Sequence, residues 1–143
     1  MADSKTLLEC CLYFTANNFA RTITRMAEEA FAPLGLSPSQ AFLVILAIES
    51  PGMSASDMAT QLHLAPSTVT RLVDGLIRKG FVERKIEGKA SLIHPTPESK
   101  ELAVQIAAAW KSLYHNYSGI LGDNAGRELS GLLHAAFQRL DSA

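Results

Sequence analysis

At 143 residues, 48% of them hydrophobic and 19% charged, the chain suits one ordinary soluble domain, 1–143, with a core of its own. A net charge of −1 excludes a chain that is basic throughout, and the longest purely apolar run, Ala41 to Ile48, is far short of the roughly 20 residues that span a bilayer. No secretory or transit-peptide pattern opens the sequence, so a cytoplasmic protein with no membrane partner is expected.

From about Asp3 to Ala32 there is neither proline nor glycine, and Leu8, Cys11, Leu12, Phe19, Ile23 and Ala27 recur at near-heptad spacing. This pattern predicts one long helix, of a length that calls for another long helix or a second subunit to pack against. Pro33 and Gly35 end it. Ser37 is placed as an N-cap, with Pro38 in the first helical position and Gln40 completing a capping box. The second helix runs to about Glu49, with Phe42, Ile45, Leu46 and Ile48 expected on its core side, before Pro51-Gly52 forces the exit.

Ser54 and Asp57 open a third, short helix with Met58, Ala59 and Leu62 inward, and His63-Leu64-Ala65 connects it to a fourth that starts at Pro66 and stops at Gly80. In the fourth, Val69, Leu72, Val73, Leu76 and Ile77 fall on one stripe and leave Ser67, Thr68, Thr70, Arg71, Asp74 and Arg78 facing outward. Phe81 to Ile86 and Ala90 to His94 then alternate in strand fashion around Glu87-Gly88-Lys89, a glycine-containing hairpin turn. Two short helices followed by a basic hairpin make a winged helix-turn-helix. An outward face of small hydroxyls and arginine suits a DNA groove, because hydroxyls reach phosphates or base edges without bulk and arginine pairs bidentately with guanine.

Thr96-Pro97-Glu98 begins a fifth helix with an apolar stripe from Leu102 through Ile106, Leu113 and Ile120 to Leu121. Asp123 or Asn124 is placed to cap a last helix, where Leu129, Leu132, Leu133, Phe137 and Leu140 repeat at helical spacing. The fold class is therefore mainly α with a small β wing: a winged helix-turn-helix at 36–96, flanked by dimerisation helices at 1–35 and 97–143. The flanking helices hold more apolar surface than a small winged module can cover, so a homodimer with interlocked termini is expected.

Charge distribution supports the same reading. Between His63 and His94, Arg71, Arg78, Lys79, Arg84, Lys85 and Lys89 oppose only Asp74, Glu83 and Glu87, a basic patch on an otherwise acidic body. Such a patch orients a protein on DNA by phosphate attraction.

With Leu64-Ala65-Pro66-Ser67-Thr68-Val69-Thr70-Arg71-Leu72-Val73, Lys79-Gly80-Phe81-Val82-Glu83-Arg84, Thr96-Pro97-Glu98 and the closing leucine stripe in this order, almost the whole chain resembles the MarR family of bacterial transcriptional regulators. The resemblance implies a homodimer on a palindromic operator in double-stranded DNA, usually repressing transcription and often released by a small phenolic or aromatic effector or by thiol oxidation. It places Ser67, Thr68, Thr70 and Arg71 in the major groove, with Arg78 on the same helix, and Arg84, Lys85 and Lys89 near backbone or minor groove. Wings in the family commonly carry Asp-Arg-Arg at the tip; here the tip is Glu87-Gly88-Lys89-Ala90, and lysine lacks arginine's planar fork, so weaker or less selective wing contacts are expected. Ser99 stands where a glycine is usual.

Phe14, Asn18, Phe42, Trp110, Tyr114 and His115 are candidates for an effector crevice between the winged region and the dimer helices, against the simpler reading that they pack a core. Cys11 lines up with the peroxide-sensing cysteine of one branch of the family, but the tyrosines that branch presents to the thiolate are missing around Arg25 and Pro38 to Ala41, and a small core residue is the simpler reading. Cys10 and Cys11 form neither a zinc set nor a disulfide framework, and the four histidines lie on separate elements, so no metal and no cofactor is expected. There is no phosphate-cradling glycine loop, nucleophile elbow or metalloprotease histidine pair, so the chain does not read as an enzyme. The alternatives left open are a thiol-based redox regulator acting through Cys11 and a winged-helix protein-association module without DNA binding.

Overall fold

The computed structural model describes residues 3–143. The helix expected over Asp3 to Ala32 is broken, into α1 (Ser4–Cys10) and α2 (Leu12–Phe31). Cys11 between them is extended, with φ −81° and ψ 120°, and its carbonyl accepts both the amide and the hydroxyl of Thr15 at 3.0 Å. α1 buries no side chain, so nothing packs it in line with α2, and the Thr15 hydroxyl helps to start a fresh helix without any proline or glycine. Asp3 caps α1 by accepting the Thr6 amide at 2.8 Å, which holds its carboxyl below the ordinary value.

A 3-10 turn (Ala32–Leu34) leads to α3 (Pro38–Glu49), which has the full capping box: Gln40 N–H donates to Ser37 Oγ and Ser37 N–H to Gln40 Oε1, both at 3.1 Å. The side of α3 that is fully buried carries Ala41, Leu43, Val44 and Ala47, while Ile45, Leu46 and Ile48 are half-buried and Phe42 is exposed. The helix is apolar nearly all round and meets α2, α5, α6 and the sheet, so periodicity alone did not choose the face.

Beyond α3 come β1 (Met53–Ser54), α4 (Ala55–Leu62), α5 (Pro66–Arg78), β2 (Val82–Glu87) and β3 (Ala90–Pro95). The antiparallel sheet has the order β1-β3-β2, with Met53 opposite Ile93 and Arg84 also opposite Ile93 from the other side. Two residues are too short to show an alternation, which is why β1 carries no signal in the sequence. The core sits where these elements meet, and Phe31, Leu43, Met58, Leu76, Ile93 and Ile106 are wholly buried in it.

Chain reversal after α4 is a Schellman turn. Leu64 N–H donates to Ala59 O at 3.0 Å and His63 N–H to Thr60 O at 3.3 Å, with His63 left-handed at φ 54°.

α6 (Glu98–Leu121) follows the wing. The Thr96 hydroxyl donates to Gly80 O at 2.6 Å, tying the start of α6 to the end of α5. Ser99 is tolerated in place of glycine because its buried hydroxyl donates to Thr96 O at 2.6 Å. The stripe of α6 is buried from Leu102 to Leu113 but Ile120 and Leu121 are exposed. α7 (Ala125–Asp141) starts at Asn124 in helical conformation with no side-chain cap, against expectation, and it buries none of its residues.

Candidate nucleic-acid interface

α5 is strongly amphipathic, and the fold uses it. Val69, Val73, Gly75 and Leu76 are buried, while Ser67, Thr70, Arg71 and Arg78 are exposed and Thr68 is half-buried. The helix begins at Pro66 behind Ala65, which has no polar side chain to cap it; Pro66 has no amide hydrogen and the Thr68 amide donates to Ala65 O at 3.0 Å, so the Ser67 amide is the first-turn donor left to face an anion. Exposed Ser67, Thr70 and Arg71 and half-buried Thr68 thus form one group at the N-terminal end. The Thr70 hydroxyl donates back to Pro66 O at 3.0 Å, leaving its lone pairs and methyl for an incoming partner. Arg78 stands seven residues beyond Arg71, about 10 Å further along the axis at the rise of a helix, and is therefore at the other end of the element.

α5 is held closely against α3. Gln40 Nε2 donates to Leu72 O at 3.3 Å, and a Cβ on Gly75 would come within 2.9 Å of that same nitrogen. At the other end the Lys79 ammonium donates to the Gly35 carbonyl. These bonds fix the height of the exposed face above the core.

The wing is a two-residue hairpin closed by Glu87 opposite Ala90, and Gly88 takes φ +59° in its turn. Along β2, Val82, Arg84 and Ile86 share one face and Glu83, Lys85 and Glu87 the other. Val82 is buried, Arg84 reaches α5, where its Nη2 donates to Asp74 Oδ1 at 2.6 Å, and Ile86 is 66% exposed. Arg84 is thus a strut between wing and recognition helix. Lys85 and Lys89 are exposed.

Sequence reasoning missed the Asp74 to Arg84 pair and the exposed Ile86. Both were within reach: strand alternation from buried Val82 puts Arg84 and Ile86 on the face turned toward α5, and Asp74 is the carboxylate that α5 offers there.

The six effector candidates are divided by the structure. Phe42 and Trp110 pack at 4.7 Å between ring centroids, and Phe31 meets Trp110 edge-on at 4.5 Å. Tyr114 lies against His115 at 5.9 Å and against Tyr117 at 5.5 Å, with the Arg127 guanidinium 5.8 Å over its ring. Phe14 pairs with Tyr13 at 5.3 Å, and Asn18 accepts from Arg21 on its own helix. Cys11 is half-buried at the helix break beside exposed Cys10, outside the main core. Among the described residues no group of three or more His, Cys, Asp or Glu could hold a metal ion, and no single helix is long and apolar enough to cross a membrane.

Residues 36–87, the span from the end of the first connection to the wing tip, match the MarR family model. That span, the winged helix-turn-helix, is what this chain shares with the MarR family. The chain is 23% identical over 103 residues to the HTH-type transcriptional repressor YetL of Bacillus subtilis (strain 168), a match that takes in 71% of this chain and 57% of the repressor. Among solved structures, CouR of Rhodococcus jostii RHA1 bound to p-coumaroyl-CoA superposes with a TM-score of 0.77 at 23% identity, over 90% of this chain and 93% of that one. A mutant MarR from E. coli complexed with operator DNA superposes with a TM-score of 0.79 at 18% identity, over 94% and 99%. These likenesses show the MarR fold.

Proposed function

We propose that this protein is a cytoplasmic, homodimeric, sequence-specific regulator of transcription that binds a palindromic operator, acts as a repressor and is released by a small aromatic or phenolic effector. The observation that carries DNA binding is the group of exposed Ser67, Thr70 and Arg71 with half-buried Thr68 on a helix end without a side-chain cap, next to a basic hairpin braced by Arg84. In this reading Arg71 reads a base edge and Ser67, Thr68 and Thr70 meet phosphates or bases, while Lys85 and Lys89 supply charge along the backbone. Arg84 acts by holding the wing, Arg78 contributes charge from the far end of α5, and Ile86 gives the wing tip an apolar contact of the kind minor grooves accept.

Dimerisation is supported by the apolar surface that one chain leaves uncovered: Leu12, Ile120, Leu132 and Leu140 are each at least 66% exposed. An open cleft of about 570 Å³ between α2 and α7, lined by Leu12, Phe19, Ile23, Leu129 and Leu133, suits side chains of a second copy. For the effector, Phe42 and Trp110 are the pair that supports a flat aromatic group, with Tyr114 and His115 one turn further along α6. The relative bound to p-coumaroyl-CoA makes aromatic acids and their thioesters the first compounds to try. Phe14, Asn18 and Cys11 belong to the N-terminal helices that the partner covers.

A mobility-shift titration of the duplex upstream of the chain's own coding sequence tests the proposal. Binding at lower concentration than to a scrambled duplex, reversed by an aromatic acid or its thioester, is expected. Equal binding to both duplexes contradicts sequence-specific regulation.

A further inference from the structure

We propose that the contact between His63 and Phe137 is a positioning device, through which the C-terminal helix α7 sets the helix-turn-helix turn and with it the N-terminal end of α5. His63 is the non-glycine residue with positive φ among the described residues, at φ 54° and ψ 40°, in the turn position that glycine or asparagine usually fills. The hydrogen bonds of that turn, His63 N–H to Thr60 O and Leu64 N–H to Ala59 O, are made by the main chain, so a glycine would serve them as well and without the crowding of a Cβ. What the imidazole adds is its edge-on contact with the Phe137 ring, 4.9 Å between centroids at 77°.

Both sides of that contact matter for the proposed activity. α5 begins three residues after His63, behind Ala65 without a side-chain cap and with Pro66 lacking an amide hydrogen, so its first turn takes its position from the turn before it. Phe137 lies on a helix that buries no side chain, and it also lines a cavity of about 430 Å³ with Phe19, Tyr117, Leu133 and His134 between α2, α6 and α7. Whatever moves α7, whether docking of the second copy or filling of that cavity, moves Phe137 and is felt at Ser67 and Thr68. The inference rests on the DNA-binding reading for its consequence, though the contact itself is measurable without DNA.

The experiment compares the full-length chain with His63→Gly, His63→Asn, Phe137→Leu and the His63→Gly/Phe137→Leu double variant. Phe137→Leu keeps the dimer face apolar, and glycine and asparagine both suit the left-handed turn, so dimer mass and thermal midpoint should hold. Each single variant should weaken operator binding by about two- to tenfold, the worth of an aromatic pair, and the double variant should weaken it no further. Hydrogen exchange on the free protein should speed up at the Leu64, Thr68 and Val69 amides in all four variants. Unchanged exchange in His63→Gly, or operator effects that multiply in the double variant, overturns the proposal. If the unmodified chain binds no duplex, the DNA reading fails by that observation, and exchange alone then decides the positioning contact.

Discussion

The winged region and the terminal helices are built from similarly amphipathic sequence, yet they finish in opposite conditions. In the first, Leu43, Met58, Leu76 and Ile93 are wholly buried within one chain, with Phe31 of α2 and Ile106 of α6 packed against them. In the second, α1 and α7 bury nothing, and Leu132 and Leu140 stand 71% and 69% exposed. An apolar stripe thus announces that a surface will be covered without saying by what. Here the stripes of α4 and α5 close a core, whereas those of α1, α7 and the end of α6 form one side of the proposed dimer interface. Exposed apolar area of that kind is costly to leave in water and drives association.

The contrast is broken or sharpened by matched substitutions. Met58→Ala should lower unfolding free energy by about 2–5 kcal/mol, the usual cost of a cavity in a packed core, in a denaturant titration. Leu132→Ala, which removes a comparable side chain, should leave single-chain unfolding within about 0.5 kcal/mol and instead raise the dimer dissociation constant seen by sedimentation. Equal effects on unfolding would mean that α7 belongs to the core after all. Within the winged region, Arg71→Ala should cost about 1–3 kcal/mol of operator affinity and relax preference at one base position per half-site. Asp74→Ala should cost only about 0.2–1 kcal/mol of stability, since the pair is partly exposed, while freeing Arg84 and lowering affinity for all duplexes alike. Smallest is Lys89→Ala, expected to reduce the slope of log affinity against log salt by about one per wing, about two per dimer.

How much of this was legible depended on whether one segment carried the whole signal. The α5 stripe, the Ser37 capping box and the Gly80 stop are local, and the structure has each where the spacing puts it. The division of α1 from α2 was hidden because it comes from the lack of packing on α1 and a Thr15 hydroxyl bond, with no breaker residue at Cys11. The buried face of α3 is legible only in part, since Ile45, Leu46 and Ile48 do pack against the core while Phe42 is exposed, because a helix enclosed on several sides has no polar face to orient it. Asn124 was placed as a cap by residue type, but its backbone is already helical and its side chain makes no cap bond. In the candidate interface, the helix-four face could be read from period alone, while the role of Arg84 required the pairing of β2 with β3 and its distance to α5.

The central claim is that the exposed end of α5 reads sequence while the wing supplies charge. Fluorescence-anisotropy binding of the unmodified chain and of Arg71→Ala to the upstream duplex and to a scrambled duplex, over a salt series, tests it most directly. The account predicts that Arg71→Ala loses the preference between the duplexes and retains the salt-dependent binding common to both, with half-sites about 34–36 Å apart on one face of the preferred duplex. Unchanged affinity of Arg71→Ala for both duplexes would contradict it, leaving the outer face of α5 merely solvated and protein association as the function of the winged fold.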